Sequence, residues 1–375
     1  MSLVVGLPKE IKDNENRVSV VPDGVAELVH HGHVVLVQSG AGAGSRFTDE
    51  EYAAAGATVL DTADDVFAGA DLIVKVKEPI PAEYHRFRDG QQLFTYLHLA
   101  ADKALTEFLL ERRIDSIAYE TVQTPDRRLP LLTPMSEVAG RLAVQAAAHA
   151  LESPSGGAGI LLGGVPGTPA ARVTIIGGGV AGTEAAKIAM GMRAIVRVLD
   201  TNPVRLAYLS DVFGGHLDLV VPNRAVTAAS VAESDVVIGA VLVPGAKAPH
   251  LVTRQMIAAM RPGSVVVDIA IDQGGCFETS RPTTHSHPTY VEEGVVHYCV
   301  ANIPGAVART STLALTNATL RYLVTVADQG IRSAAAKDPA LALGLSTLAG
   351  DLTNAAVAEA HGLAYTNPAT AFAMG

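Results

Sequence analysis

The stretch ARVTIIGGGVAGTEAAKIAMGMRAIVRVLD, residues 171–200, decides the fold of the half of the chain around it. It reads as a strand, a tight glycine turn, a helix and a second strand closing on an acid. Gly177, Gly179 and Gly182 supply G-x-G-x-x-G directly after the apolar run Val173–Ile176. A dinucleotide brings its pyrophosphate against backbone N–H groups at a helix N-terminus. Side chains at those glycine positions would block the approach or strain the turn. Asp200 ends the run Ile195–Leu199 where an acid meets the ribose hydroxyls of the adenosine half. Glycines alone are a weak signal, but with strand, helix and acid in place dinucleotide binding is the expectation. The plainer alternative is a turn that only lets a helix pack close to a strand.

Outward from this unit the pattern repeats. Strands are expected at Leu217–Val221, Val236–Val241, Ser264–Ile271 and Val295–Ala301. An alanine-rich helix over Met135–His149 and a Gly/Pro/Ser-rich loop over Ser153–Pro169 precede the fingerprint. The first third alternates apolar runs (Leu3–Leu7, Val34–Gln38, Leu72–Val76, Leu93–Leu97, Ile117–Tyr119) with helical patterns such as Pro22–His30, which is a βαβ series. Gly40, Gly42 and Gly44 imitate a nucleotide loop with the wrong spacing, and are read as a flexible loop near substrate. After Thr310 the pattern turns helical, with one long run over Leu313–Ala336 and further helices over Leu341–Gly362. The expected architecture is α/β: two Rossmann-like doubly wound domains with a cleft between them, the first discontinuous. Residues 1–130 plus 309–375 form the substrate and catalytic domain, and 131–308 the dinucleotide-binding domain. Small ligands favour such clefts.

Composition narrows the classes. A length of 375 residues suffices for two cores, and a formal charge of −10 with no basic run argues against nucleic acid. The only cysteines, Cys276 and Cys299, form no C-x-x-C, which suits a reducing, cytoplasmic setting. The N-terminal MSLVVGLPKEIK meets charge too early for a signal peptide, and no apolar run spans a bilayer. His30, His31 and His33 flank a glycine and read as solvated turn residues rather than a metal site.

Chemistry on a small acid needs cations for a carboxylate and an acid/base near the hydride centre. Arg17, in KEIKDNENRVSVVP, offers a planar fork for a carboxylate; its plainer reading is a surface pair with Glu15. Lys75 and Lys77 lie at the end of an apolar strand, with Lys75 further inside and snorkelling outward. His98 ends LFTYLHLA, where a satisfied core histidine is the rival reading. Asp272 ends VVVDIAID, and Asp268 sits earlier on the same face, with a backbone-bonded buried carboxylate as its plainer reading.

Taken together the chain resembles the alanine dehydrogenase family over essentially its whole length. The signposts are GLPKEIKDNENRV (6–18), KVKEP (75–79), FTYLHLA (94–100), IAYETVQ (117–123), PMSEVAGRLAVQ (134–145), GGVPG (163–167), GGGVAG (177–182), VLVPGAKAP (241–249), VVVDIAIDQGGCFETSRPTTH (265–285), CVANIPGAV (299–307) and TSTLALTNAT (310–319). The resemblance implies that Arg17 and Lys77 hold the substrate carboxylate and polarise the keto oxygen. It makes His98 the acid/base and Asp272 its charged partner across the cleft. It places NAD against Ser136, Val180, Ala181, Asp200, Arg205, Val241, Leu242, Ile269, Asp272 and Asn302, beside the three fingerprint glycines. The implied reaction is the reversible oxidative deamination of L-alanine to pyruvate and ammonium, in a homohexamer with no membrane partner. Lysine is frequent in the family where Arg205 stands, so NAD preference is expected not to be absolute. Some relatives carry an acid and a histidine at the positions of Thr325 and Gln329; a metal held there would lose its ligands in this chain, and none is expected. The rival readings are the soluble component of a proton-pumping nicotinamide nucleotide transhydrogenase, a saccharopine-type dehydrogenase, and an NAD-binding sensor without turnover.

Overall fold

The structure, a computed structural model, describes residues 2–241 and 250–373. The chain divides into two compact units, Met1–Met135 with Val307–Gly375, and Ser136–Ala306.

The first unit is built on an eight-stranded sheet. Its parallel part comprises β1 (Val4–Leu7), β2 (Val34–Gln38), β3 (Thr58–Leu60), β4 (Leu72–Val74), β5 (Gln92–Thr95) and β6 (Asp115–Ala118) in the order β6-β5-β4-β1-β2-β3. This is the doubly wound order, and it reverses between β1 and β4, so the loops after those two strands diverge and leave a crevice. The central strands are buried on both faces, which is why they read as unbroken apolar runs.

The second unit has β7 (Arg172–Ile176), β8 (Ile195–Leu199), β9 (Asp218–Val220), β10 (Val236–Gly239), β11 (Val265–Asp268), β12 (Thr289–Glu292) and β13 (Val295–Tyr298). Their order is β12-β13-β11-β10-β7-β8-β9, with only β12 antiparallel. The order reverses between β7 and β10. A core of Val173, Ile175, Val196, Val198, Ile238 and Val267 is closed on one side by the alanine-rich helix Thr133–Ala150.

Several expectations are corrected. The C-terminal region is not purely helical: β14 (Leu345–Leu348) and β15 (Asp351–Leu352) extend the first sheet antiparallel beyond β6. Ala349 and Gly350 connect them with φ of 53° and 96°, the two left-handed residues a tight hairpin demands. The long helical run breaks at Gly330 (φ 75°), separating Ala308–Gln329 from Ile331–Lys337. Strand β4 stops at Val74 and β11 at Asp268, so Lys75, Lys77 and Asp272 lie beyond their strands, where alternation no longer assigns a face. The glycine segment 40–44 is a bonded turn rather than a flexible loop. Ala43–Ser45 forms one 3₁₀ turn, Ser45 is fully buried, and Gly40 donates to Asp49. His33 is buried rather than solvated, and Asp328 accepts from both His33 (3.0 Å) and His31 (3.1 Å). No group of three or more metal-ligating side chains occurs among the described residues.

Candidate active site

The glycine turn of the second unit has the geometry its sequence implies. Gly177 is left-handed (φ 99°), and a Cβ on it would sit 2.8 Å from the carbonyl oxygen of Ala240. A Cβ on Gly182 would lie 1.8 Å from the Gly177 carbonyl oxygen, so only glycine lets the helix Val180–Gly191 start this close to β7. At Gly179 a Cβ would meet no protein atom within 4 Å. The space beside Gly179 is open, which leaves room for a pyrophosphate at the helix N-terminus. Gly140 lies equally close: its Cβ would fall 2.1 Å from the Ala181 carbonyl oxygen. Ser136 lies one helical turn before Gly140 on the helix Thr133–Ala150 and so shares its face.

Asp200 does more than end a strand. Its Oδ2 accepts from the Gly178 N–H at 2.7 Å and its Oδ1 from the Asn202 N–H at 2.8 Å. Each carboxylate oxygen has a second lone pair, so the residue can brace the turn and still take a ribose hydroxyl. Arg205 also braces the turn: its guanidinium donates to the Gly178 carbonyl, to Gly179 O at 3.3 Å and to Thr183 Oγ1 at 2.6 Å, over the Tyr208 ring. Val241 lies against Gly177, and Ile269 donates to the Gly239 carbonyl at 2.9 Å, so both border the sheet reversal. Leu242, with the rest of VLVPGAKAP after Val241, lies outside the described residues. Asp272 sits exposed on a 3₁₀ turn, and its carboxylate accepts from the N–H of the left-handed Asn302 at 3.2 and 3.3 Å. Asp268, in contrast, is fully buried and accepts from Ala270 N, Cys276 N and Ser280 Oγ. It is the backbone-bonded structural carboxylate of the plainer reading.

In the first unit Arg17, Lys77 and His98 all follow strands at the carboxyl edge of the sheet. Arg17 does pair with Glu15, but inside the protein: it is 2% exposed, with Nε 2.7 Å and Nη2 2.5 Å from the two Glu15 oxygens. Burial disfavours its charge, yet Glu15 outweighs burial and raises its pKa. Lys75 does not snorkel; it is 1% exposed, with Nζ 3.0 Å from Glu10 and 2.8 Å from Glu83. Burial works against that ammonium, and the two carboxylates overcome it, raising the pKa. Glu10 also accepts from the backbone N–H groups of Val76 and Lys77, so the buried pair holds the loop that carries Lys77.

His98 is 42% exposed in its side chain, which excludes the core-histidine reading. Its backbone is left-handed (φ 50°), and Glu120 takes the N–H of Leu97 at 3.2 Å and of His98 at 2.6 Å. The Tyr96 ring lies parallel to the imidazole, 5.9 Å away. Glu78 ties the cations together. Burial pushes its carboxyl up, but Lys77, His98 and Lys12 more than offset this and hold it below the usual range. Its Oε2 is buried with no hydrogen-bonding partner among the described residues.

Glu10, Glu78 and Glu120 were missed by the reading of the sequence. GLPKEIKDNENRV, KVKEP and IAYETVQ carry them, but the groups they hold lie elsewhere in the chain (Val76 and Lys77 for Glu10, Lys12 for Glu78, Leu97 and His98 for Glu120), so no local pattern reveals them.

The sequence matches two family models, "Alanine dehydrogenase/PNT, N-terminal domain" over residues 6–139 and "Alanine dehydrogenase/PNT, C-terminal domain" over 143–355. It is similar to the alanine dehydrogenase of Methanococcus maripaludis, 56% identical over 97% of this chain and 98% of that one. The fold is similar to a solved L-alanine dehydrogenase, with a TM-score of 0.92, 51% identity, and coverage of 96% of this chain and 99% of that one. A transhydrogenase from Sinorhizobium meliloti has a TM-score of 0.78 and 28% identity, over 94% of this chain and 99% of that one. The chain belongs to the alanine dehydrogenase/PNT family.

Proposed function

We infer that the protein is an NAD-dependent L-alanine dehydrogenase, catalysing L-alanine + NAD⁺ + H₂O to pyruvate + NH₄⁺ + NADH + H⁺, reversibly. The observation that carries this reading is the set Arg17, Lys77 and His98 at one sheet edge, each fixed by a glutamate. The transhydrogenase reading is disfavoured, because its relative shares about half as many identical residues with this chain as the dehydrogenases do.

The glycine turn, Ser136, Val180, Ala181, Asp200, Arg205, Val241, Leu242, Ile269, Asp272 and Asn302 would hold NAD. The cofactor supplies the acceptor for the hydride leaving the alanine Cα. Arg17 and Lys77 bind the carboxylate and carry the charge that develops on oxygen. His98 takes a proton from the attacking water and returns one to the departing amine, an exchange suited to an exposed imidazole. Asp272 stabilises the cationic iminium. The unpartnered Glu78 Oε2 can accept from a substrate N–H or water.

We further propose a homohexamer in the cytoplasm. No described helix is long and apolar enough to cross a membrane, and both thiols are free and buried. Sizing by light scattering tests the assembly, and six subunits is the expected result. The activity is tested by NADH oxidation with ammonium and a panel of keto acids. Pyruvate is expected to give the highest kcat/KM; no turnover with pyruvate would refute the assignment.

Cofactor preference rests on Asp200, whose charge repels a 2′-phosphate. Asp200→Asn keeps an acceptor for Gly178 N–H and removes that repulsion. The ratio of kcat/KM for NADH over NADPH should fall about tenfold, the equivalent of roughly 1.4 kcal/mol of relieved repulsion. An unchanged ratio would place the preference elsewhere.

A further inference from the structure

Two motifs remain unexplained by cofactor and substrate contacts: the glycine-rich GAGAGS segment (40–45) and the TSTLALTNAT helix face (310–319). The structure joins them at one point. Thr312 Oγ1 lies 3.2 Å from the Val18 N–H and 2.8 Å from Ser45 Oγ, and Ser45 Oγ lies 2.9 Å from the Asn16 carbonyl oxygen. Thr312 and Ser45 are fully buried.

The direction of this chain of bonds is unambiguous. An N–H can only donate and a carbonyl can only accept. Val18 N–H therefore donates to Thr312 Oγ1, Thr312 O–H donates to Ser45 Oγ, and Ser45 O–H donates to the Asn16 carbonyl. The relay starts one residue after Arg17 and ends one residue before it, so it closes a loop around the arginine. Val18 is buried, so its N–H depends on the Thr312 hydroxyl, while Asn16 at the other end is exposed and is tied down by Ser45. Two further contacts hold the relay in place. Arg309 Nη1 donates to the Ser45 carbonyl at 3.0 Å, from the first turn of the helix that carries Thr312. At Gly44 a Cβ would lie 2.7 Å from Asn16 O, so that position must stay bare for the turn to approach.

We propose that Ser45 and Thr312 are positioning residues that set the backbone of Arg17 and thereby the affinity for the substrate carboxylate. The proposal rests on the assignment of Arg17 to that carboxylate. Glu15 holds the guanidinium and the Arg17 N–H (3.0 Å), and the two hydroxyls hold the flanking Val18 N–H and Asn16 carbonyl, so together they fix the residue and the backbone on either side of it. A planar bidentate contact tolerates little displacement.

The test is steady-state kinetics and NADH binding on Thr312→Val, Thr312→Ser and Ser45→Ala, with Arg17→Lys measured in parallel. Valine keeps the shape of threonine and removes the hydroxyl; serine keeps the hydroxyl. For Thr312→Val and Ser45→Ala, KM for pyruvate and for alanine is expected to rise about tenfold or more, with a smaller fall in kcat and NADH affinity near wild type, the pattern of a displaced carboxylate contact. Thr312→Ser is expected to restore most of the wild-type KM. A lower Tm with unchanged KM in Ser45→Ala and Thr312→Val would make the relay merely structural and overturn the proposal. If Thr312→Val does not fold, Ser45→Ala and Thr312→Ser decide by the same criteria. An unchanged pyruvate KM in Arg17→Lys would refute the underlying assignment, and the relay's role with it. A raised KM in Arg17→Lys beside wild-type KM in both hydroxyl variants would refute the relay alone.

Discussion

His98→Ala should fold, bind NADH with wild-type affinity and lose turnover by a factor of about 10² or more, the usual contribution of a positioned acid/base. Retained folding is expected because the side chain is exposed and the backbone bonds, the N–H to Glu120 and the carbonyl from Ala101 N–H, are ones that alanine preserves. Alanine does meet the left-handed φ of 50°, a modest strain for a residue with a Cβ. His98→Asn separates the two effects, since asparagine adopts that conformation readily and supplies no proton. Equal losses in the two variants would assign the effect to the imidazole. Recovery of turnover in His98→Asn would assign it to the backbone.

Asp272→Asn removes a charge and keeps the shape. The expected result is a fall in kcat of about 10²-fold in both directions, comparable to deletion of one preorganised electrostatic contact at a developing charge. NADH affinity should change much less. The iminium formed as hydride leaves is cationic, and a carboxylate near it lowers the barrier where an amide cannot. The Asp272 carboxylate also takes the Asn302 N–H. An asparagine side-chain oxygen can accept that bond, so loss of the turn is not the expected cause of any defect. Wild-type rates in Asp272→Asn would exclude it from the chemistry. Asp268 could not replace it, being committed to Ala270, Cys276 and Ser280.

The α/β class and both doubly wound sheets were legible because apolar strand runs and a 3.6-residue period are local. So was the glycine turn, where the tight contact of Gly182 with Gly177 is a matter of five residues. What escaped was long-range. Strands β14 and β15 hide in an alanine- and leucine-rich stretch whose helical propensity is overridden by pairing, of β14 with β6 and of β15 with β14. Lys75 read as a snorkelling lysine because nothing nearby announces Glu10, 65 positions earlier, as its partner. Glu120 is 22 residues from the histidine it holds, and Thr312 lies 267 residues from Ser45. Residue types at strand ends pointed to Arg17, Lys77 and His98, and the pairing of Arg17 with Glu15 two residues away was legible though its burial was not; the more distant carboxylates and hydroxyls became visible only in three dimensions.

The interruption of the first unit by the second has a consequence for how the protein comes into being. Residues 136–306 are contiguous, so that unit can acquire all its strands while the ribosome is still translating the C-terminal helices. The first unit cannot. Its sheet lacks β14 and β15, and its Arg17 loop lacks Thr312, until the last quarter of the message has been read. The nascent chain thus passes through a stage with a finished nucleotide fold and an unfinished half whose β6 edge is bare. Such an edge invites pairing with other strands. Chaperone dependence during synthesis should accordingly map to the interval before residue 352 emerges.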